Sequence, residues 1–285
     1  MRITRASSFI LGLYVTLVIF WLSSSFFVGS NAHMNSHASF STILNGFKGS
    51  TIYGYIFALV EGLIPFIASF LGFRKAQHWG LFKSTMGMAV FLFSLGLFCW
   101  GLGELIWSYY NFFLDANVPY PSWADAGFIM SYPIWGAAIF ILGRATGAKF
   151  GLRKMGGKIL LVAVPIAIFV VSWYLLVQIA RGGSITSGGG PLKVFFDFAY
   201  PSFDVIMLTM AFLIYGLSFQ YLGGRFKWPV VITLFGFFIE YFADFGFSYT
   251  TTVGTYYNGC LVDLLFATGM FILSFGITSL DIKDD

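Results

Sequence analysis

A glutamate stands inside an otherwise apolar run at Gly101-Leu102-Gly103-Glu104-Leu105-Ile106-Trp107-Ser108-Tyr109-Tyr110. Asp125 opens the next such run, after Val118-Pro119-Tyr120-Pro121-Ser122-Trp123-Ala124. A similar arrangement returns at Gly236-Phe237-Phe238-Ile239-Glu240-Tyr241-Phe242-Ala243-Asp244, followed by Asp263, and Glu61 and Asp204 lie in further apolar stretches. Ionisable groups at such depth are expensive, which makes each a candidate functional residue. The chemistry open to them is to hold a cation, a proton or an amine-bearing ligand.

The individual carboxyls differ in what else they could do. Glu104, Glu240 and Asp244 fall in the second half of predicted helices, where the negative dipole end opposes ionisation, as burial does. Glu240 and Asp244, at i and i+4, share a face on which two negative charges repel. Protonation, hydrogen bonds from Tyr, Trp or Ser, or a bound cation would each relieve them, so structural carboxyls and a cation site both fit. Ser122-x-x-Asp125 is a capping-box pattern. Asp204 and Asp263 also come early in predicted helices, where the dipole favours negative charge. Capping therefore stands beside a site role for these three. Asp197 fits an interfacial position equally well.

Aromatic residues gather at the same helix ends: Trp107, Tyr109, Tyr110, Tyr120, Trp123, Tyr200, Tyr241, Tyr249, Tyr256 and Tyr257. An interfacial belt accounts for many of them. Aromatic faces beside acids also hold organic cations, and Tyr and Trp donate hydrogen bonds to carboxylates. Trp107, Tyr110, Trp123, Tyr200 and Tyr241 are the candidate lining of a site.

The elements that must carry these residues are membrane helices. The chain of 285 residues is 58% hydrophobic and 10% charged, against roughly 25% charged in a soluble domain. Apolar runs of about 20 residues recur along it. They predict eight spans: Phe9 to Phe27, Thr51 to Gly72, Ser84 to Phe113, Ser122 to Leu142, Ile159 to Ala180, Val194 or Pro201 to Leu222, Trp228 to Thr250, and Asn258 to Leu280. A signal peptide cleaved near Ser30-Asn31-Ala32 is the rival reading of the first run, which is long for one. A polar loop, Val28 to Ser50, follows it, and Asp281 to Asp285 is a stub.

With the N-terminus inside, thirteen Lys and Arg fall in cytoplasmic segments and three outside, Lys48, Arg181 and Lys193. The positive-inside rule then places both termini in the cytoplasm of a multi-pass protein of the cell membrane. The spans divide into four-helix halves, 1–150 and 151–280. Glu104 and Glu240 are 136 residues apart, Asp125 and Asp263 are 138 apart, and Glu61 and Asp204 are 143 apart. Such offsets predict a parallel duplication about an axis along the membrane normal.

Several functions find no support. The net charge of +4 comes from loop residues that set topology, so nucleic acid is not an expected partner. Cys99 and Cys260 lack metal-motif company, and His33, His37 and His78 fall in loops rather than in haem-binding pairs. His-Glu-x-x-His, Gly-x-Ser-x-Gly and P-loop motifs are absent. No lysine lies within a span to form a Schiff base. We expect no enzyme activity and no cofactor.

The run Gly-Glu-Leu-Ile-Trp-Ser-Tyr-Tyr (103–110), Val-Pro-Tyr-Pro-Ser-Trp-Ala-Asp (118–125) and Tyr132-Pro133 resembles a family of bacterial and archaeal multi-helix membrane regions. Ala199-Tyr200-Pro201-Ser202-Phe203-Asp204 and Gly254-Thr255-Tyr256-Tyr257-Asn258-Gly259 with Asp263 extend the likeness. In that family the region often stands as an input module before diguanylate cyclase, cyclic-di-GMP phosphodiesterase or histidine kinase domains. Here nothing follows Asp285, so the resemblance implies a stand-alone version signalling through a separate cytoplasmic or membrane partner.

The expectation is an all-α, eight-span sensor or ligand-binding module in the lipid bilayer. Its acidic, aromatic cavity would open to the outside, with Glu104, Glu240 and Asp244 at the core and Asp125, Asp204 and Asp263 at the mouth. A small proton- or cation-coupled transporter, with Glu61 as relay, is the alternative. A scaffold subunit of a membrane assembly is a third reading.

Overall fold

A helix that is apolar around its whole circumference has to be buried in protein or in lipid. The computed structural model describes residues 3–32, 51–114, 118–148, 152–184, 190–218 and 227–280. Among them, eight helices are long and apolar enough to cross a membrane. They are α1 (Arg5–Ala32), α2 (Thr51–His78), α3 (Thr85–Tyr109), α4 (Trp123–Ala145), α5 (Met155–Ser172), α6 (Pro191–Ser218), α7 (Lys227–Thr252) and α8 (Leu261–Thr278). α3 runs on into a π-helical turn, Tyr110–Leu114, and α5 into another, Trp173–Ile179.

Several helix bounds differ from the sequence expectation, and for α2 and α6 the residues supply a physical cause. α2 continues past Gly72 through Arg74 and Lys75 to His78, because basic residues suit a helix C-terminus. Gly80, at φ 83°, lies in the left-handed region beyond that end. α5 begins at Met155 rather than Ile159. α6 begins at Pro191, since proline suits a first helical turn, and its inner Pro201 is of a kind membrane helices tolerate. Asp204 therefore stands thirteen residues into α6, about 20 Å along its axis. The N-terminal dipole, expected to stabilise it, does not reach that far. His33, His37, Asp115, the α6 end near Leu222, the Gly223-Gly224-Arg225 turn and the stub lie outside the described residues.

α3 packs between α2 and α4, and α7 packs on α8. The two halves close on each other through α4 against α6 and α8 against α2, while α1 lies along α2 and α8. Membrane helices approach closely through small residues, and the α3–α4 crossing is built this way. A Cβ on Gly127 would stand 2.7 Å from both the Cys99 carbonyl oxygen and the Gly103 amide nitrogen. Gly96 leaves the space taken by the Trp135 indole. That ring stacks on Trp100 at 5.8 Å and donates to the Phe93 carbonyl at 3.2 Å.

The bundle has two distinct ends. At one, Thr4 Oγ1 donates to the Thr278 carbonyl at 3.0 Å and Trp79 Nε1 to the Leu280 carbonyl at 3.1 Å, which joins the start of α1 and the end of α2 to the end of α8. At the other, Trp21 Nε1 donates to the Gly259 carbonyl at 3.0 Å. α5 stays on the outside, exposing Val162, Ile166, Phe169 and Val170, as a lipid-facing helix does.

Gly127→Ala forces the α3 and α4 backbones apart and should cost about 2 kcal/mol. Gly156→Ala, where a Cβ meets nothing within 4 Å, is the control. Thermal unfolding in detergent checks this: a lower midpoint is expected for the first variant alone.

Candidate functional site

At the end of the bundle away from the termini, the helices separate around a cavity of about 690 Å³. Seven carboxyls line it: Glu61 from α2, Glu104 from α3, Asp125 from α4, Asp197 and Asp204 from α6, Asp244 from α7 and Asp263 from α8. Glu104 and Asp244 are half-buried and the other five buried. Five α-helices other than α3 thus each deliver at least one acid to the place where Glu104 points.

Five of these carboxyls are met by hydrogen-bonding or charged partners. Ser122 caps α4: its side chain accepts from the Ala124 amide at 3.2 Å, and Asp125 Oδ2 accepts from the Ser122 amide at 2.6 Å. This is the capping box read from the sequence, and it leaves Oδ1 free to accept from Tyr200 Oη at 2.7 Å. Asp263 at the start of α8 accepts from the Gly259 amide at 2.5 Å and from the Tyr256 hydroxyl. Asp197 meets Arg181, whose Nη1 donates to the Asp197 carbonyl at 2.9 Å and whose Nη2 lies 4.0 Å from Oδ1. Asp204 and Asp244 hydrogen-bond to each other. Tyr132 Oη lies 3.0 Å from Asp244 Oδ2 and 3.4 Å from Asp204 Oδ1. A hydrogen bond between two carboxyls requires a proton on one of them.

The remaining candidates are placed as follows. Glu240 is 3% exposed and does not line the cavity; neither of its oxygens has a hydrogen-bond partner among the described residues. It lies against Gly269 of α8, where a Cβ would collide with its carboxyl. Trp107 and Tyr200 line the cavity. Tyr110, in the π-turn, does not, and Trp123 is 75% exposed on the outer surface. Tyr241 faces the α5 side, donating to Ser172 Oγ at 2.8 Å.

Sequence reasoning passed over several lining residues: Trp100, Asn111, Arg181, Lys193 and Asn258. Trp107 Nε1 donates to Asn258 Oδ1 at 3.0 Å, and Asn258 Nδ2 donates to Asn111 Oδ1 at 3.3 Å. The i, i+4, i+7, i+11 spacing of Trp100, Glu104, Trp107 and Asn111 puts them on one helical face, a signal that was available. Among the described residues, no three His, Cys, Asp or Glu side chains converge as a metal site. At the edge of the cavity, outside the membrane spans, burial pushes the Cys260 thiol up to about 12, with Asp263 adding to the effect. Burial and then Cys260 and Asp263 likewise push the Tyr257 phenol up to about 12.

Compared with known proteins, the chain matches no family model, no curated protein and no solved structure.

Tyr132→Phe removes the hydroxyl facing the Asp204–Asp244 pair and should cost about 1–3 kcal/mol. A fall in melting temperature relative to Tyr109→Phe, whose ring is 54% exposed, checks it. A thiol with its pKa at about 12 is thiolate to roughly one part in ten thousand at pH 8. With Cys99→Ser leaving Cys260 as sole target, iodoacetamide should react slowly at pH 8 until the protein is unfolded. Rapid labelling of the folded protein would contradict the burial of Cys260.

Proposed function

We propose that this protein is a ligand-binding membrane module of sensor type, taking an amine-bearing ligand from outside the cell. The observation that carries the reading is the gathering of seven carboxyls into one cavity of about 690 Å³. That volume suits a small organic molecule, and the acids surround the space rather than converging as a metal cage would. Phe128, Phe247, Tyr200 and Tyr256 line the same space and supply the aromatic faces that attract organic cations. The distribution of Lys and Arg supports an orientation with both termini in the cytoplasm and the cavity outside. The resemblance to input regions supports signalling through a separate partner, and the matching offsets of the acids support an ancestral duplication.

The proton required by the Asp204–Asp244 contact favours a second reading, a proton-coupled carrier of the same ligand class. Glu61, which lines the cavity from α2, separates the two. Loss of uptake in Glu61→Gln with ligand binding retained would favour the carrier.

The test is the melting temperature of the purified protein in detergent with organic amines, amino acids and metal ions. The wild type is compared with Glu104→Gln/Asp204→Asn. Ligand at 100 times Kd stabilises by about 2.7 kcal/mol, so a clear rise is expected in the wild type and none in the double variant. Silence in both would remove the ligand site and leave the scaffold reading in front.

A further inference from the structure

Resting on the reading of the cavity as an amine site, we infer that Glu61 and Glu104 form its seat and that the ligand's cation is a primary ammonium rather than a quaternary one. Aromatic faces attract either kind. Hydrogen bonding separates them: a primary ammonium brings three donors, and a quaternary nitrogen brings none.

Five of the seven cavity acids already have donors or a basic group against them. Glu61 and Glu104 do not: among the described residues neither accepts a hydrogen bond or forms an ion pair. Glu61 is 3% exposed and lines the cavity. Unlike the Glu240 oxygens, which are sealed off, those of Glu61 keep accessible surface. Buried carboxyls are nearly always hydrogen-bonded in native proteins. A carboxyl without a donor that faces an open space therefore marks where a donor arrives.

Glycines place the two acids side by side, deep in the cavity. Gly62, next to Glu61 in α2, leaves room for Glu104 of α3, whose Cβ would be struck by a Cβ at that position. Nearer the start of α2, Gly54 leaves room in the same way for the Asn258 carbonyl at the rim. The interval from Gly54 to Gly62 spans about 12 Å along the helix. At that depth two ionised carboxyls repel each other, and a cation seated between them removes the repulsion. It has to be narrow, because α2 and α3 touch there. A nitrogen with three hydrogens is narrow and donates to both acids. Three methyl groups on it would hold the carboxyls away and donate nothing.

The experiment uses the full chain in detergent and measures thermal shifts with matched pairs of probes. These are ethanolamine and choline, phenethylamine and its N,N,N-trimethyl derivative, and putrescine and its bis-trimethylammonium counterpart. At least one primary amine should raise the midpoint. Its methylated partner should bind at least about tenfold more weakly, the scale of a lost hydrogen bond to a charged group. In Glu61→Gln and in Glu104→Gln the primary amine should lose about tenfold in affinity and most of its advantage over the methylated partner. The wild-type pairs decide the question even where a variant fails to fold. A methylated compound binding as tightly as its primary amine would overturn the inference and leave the cation site standing. Unchanged affinity and selectivity in both folded variants would also overturn it. Silence from every probe would overturn both the inference and the reading it rests on.

Discussion

A carboxyl group in a hydrocarbon environment has to be met by a proton, a hydrogen-bond donor or a positive charge, because leaving it ionised and unpaired costs many kcal/mol. Much of this fold is an answer to that demand. Asp125 and Asp263 are absorbed by backbone amides at the starts of α4 and α8. Asp204 and Asp244 are brought together from two helices under one tyrosine hydroxyl. Asp197 is met by Arg181 from the end of α5. Glu240 is buried with neither oxygen partnered among the described residues, enclosed where Gly269 lets α8 approach.

The irregular helix ends belong to the same account. π-Helical turns are often found at functional sites, and both of those observed here border the cavity: Asn111 lies in one, Leu176 in the other. Each extends a membrane helix beyond its regular part without breaking its hydrogen bonding, which the bilayer would penalise. The side chains they carry complete the rim. Asn111, two helical turns beyond Glu104, reaches Asn258 in the segment before α8, so the site joins the first half of the chain to the last.

The fold was legible because hydrocarbon imposes a simple code. Uninterrupted apolar runs with basic residues between them can hardly be anything but spans, and all eight reappear as helices. Where a span begins was less legible. Pro201 reads as a helix start, yet Pro191 serves that purpose and shifts Asp204 from a dipole-stabilised position to mid-helix. The acids were legible as a group, since each stands out against its neighbours, and Ser122-x-x-Asp125 announced its own capping box. What could not be read was direction. Glu240 and Asp244 share a helical face, but one turns to Gly269 and the other to Tyr132, a choice made by side-chain packing. Trp123 and Tyr241, chosen for their aromatic type, face away from the cavity, while the amides of Asn111 and Asn258 passed unnoticed because neutral side chains carry no obvious cost.

α8 carries a mechanical consequence. It is a single uninterrupted rod of 18 residues, about 27 Å long, with Asp263 near its upper end among the other acids. At its lower end the Thr278 and Leu280 carbonyls are bonded to Thr4 and Trp79. A load placed on Asp263 along the helix axis is delivered, with no joint in between, to the corner where the start of α1 and the ends of α2 and α8 are tied together. The bundle contains a push-rod, and its far end rests where three helices are joined.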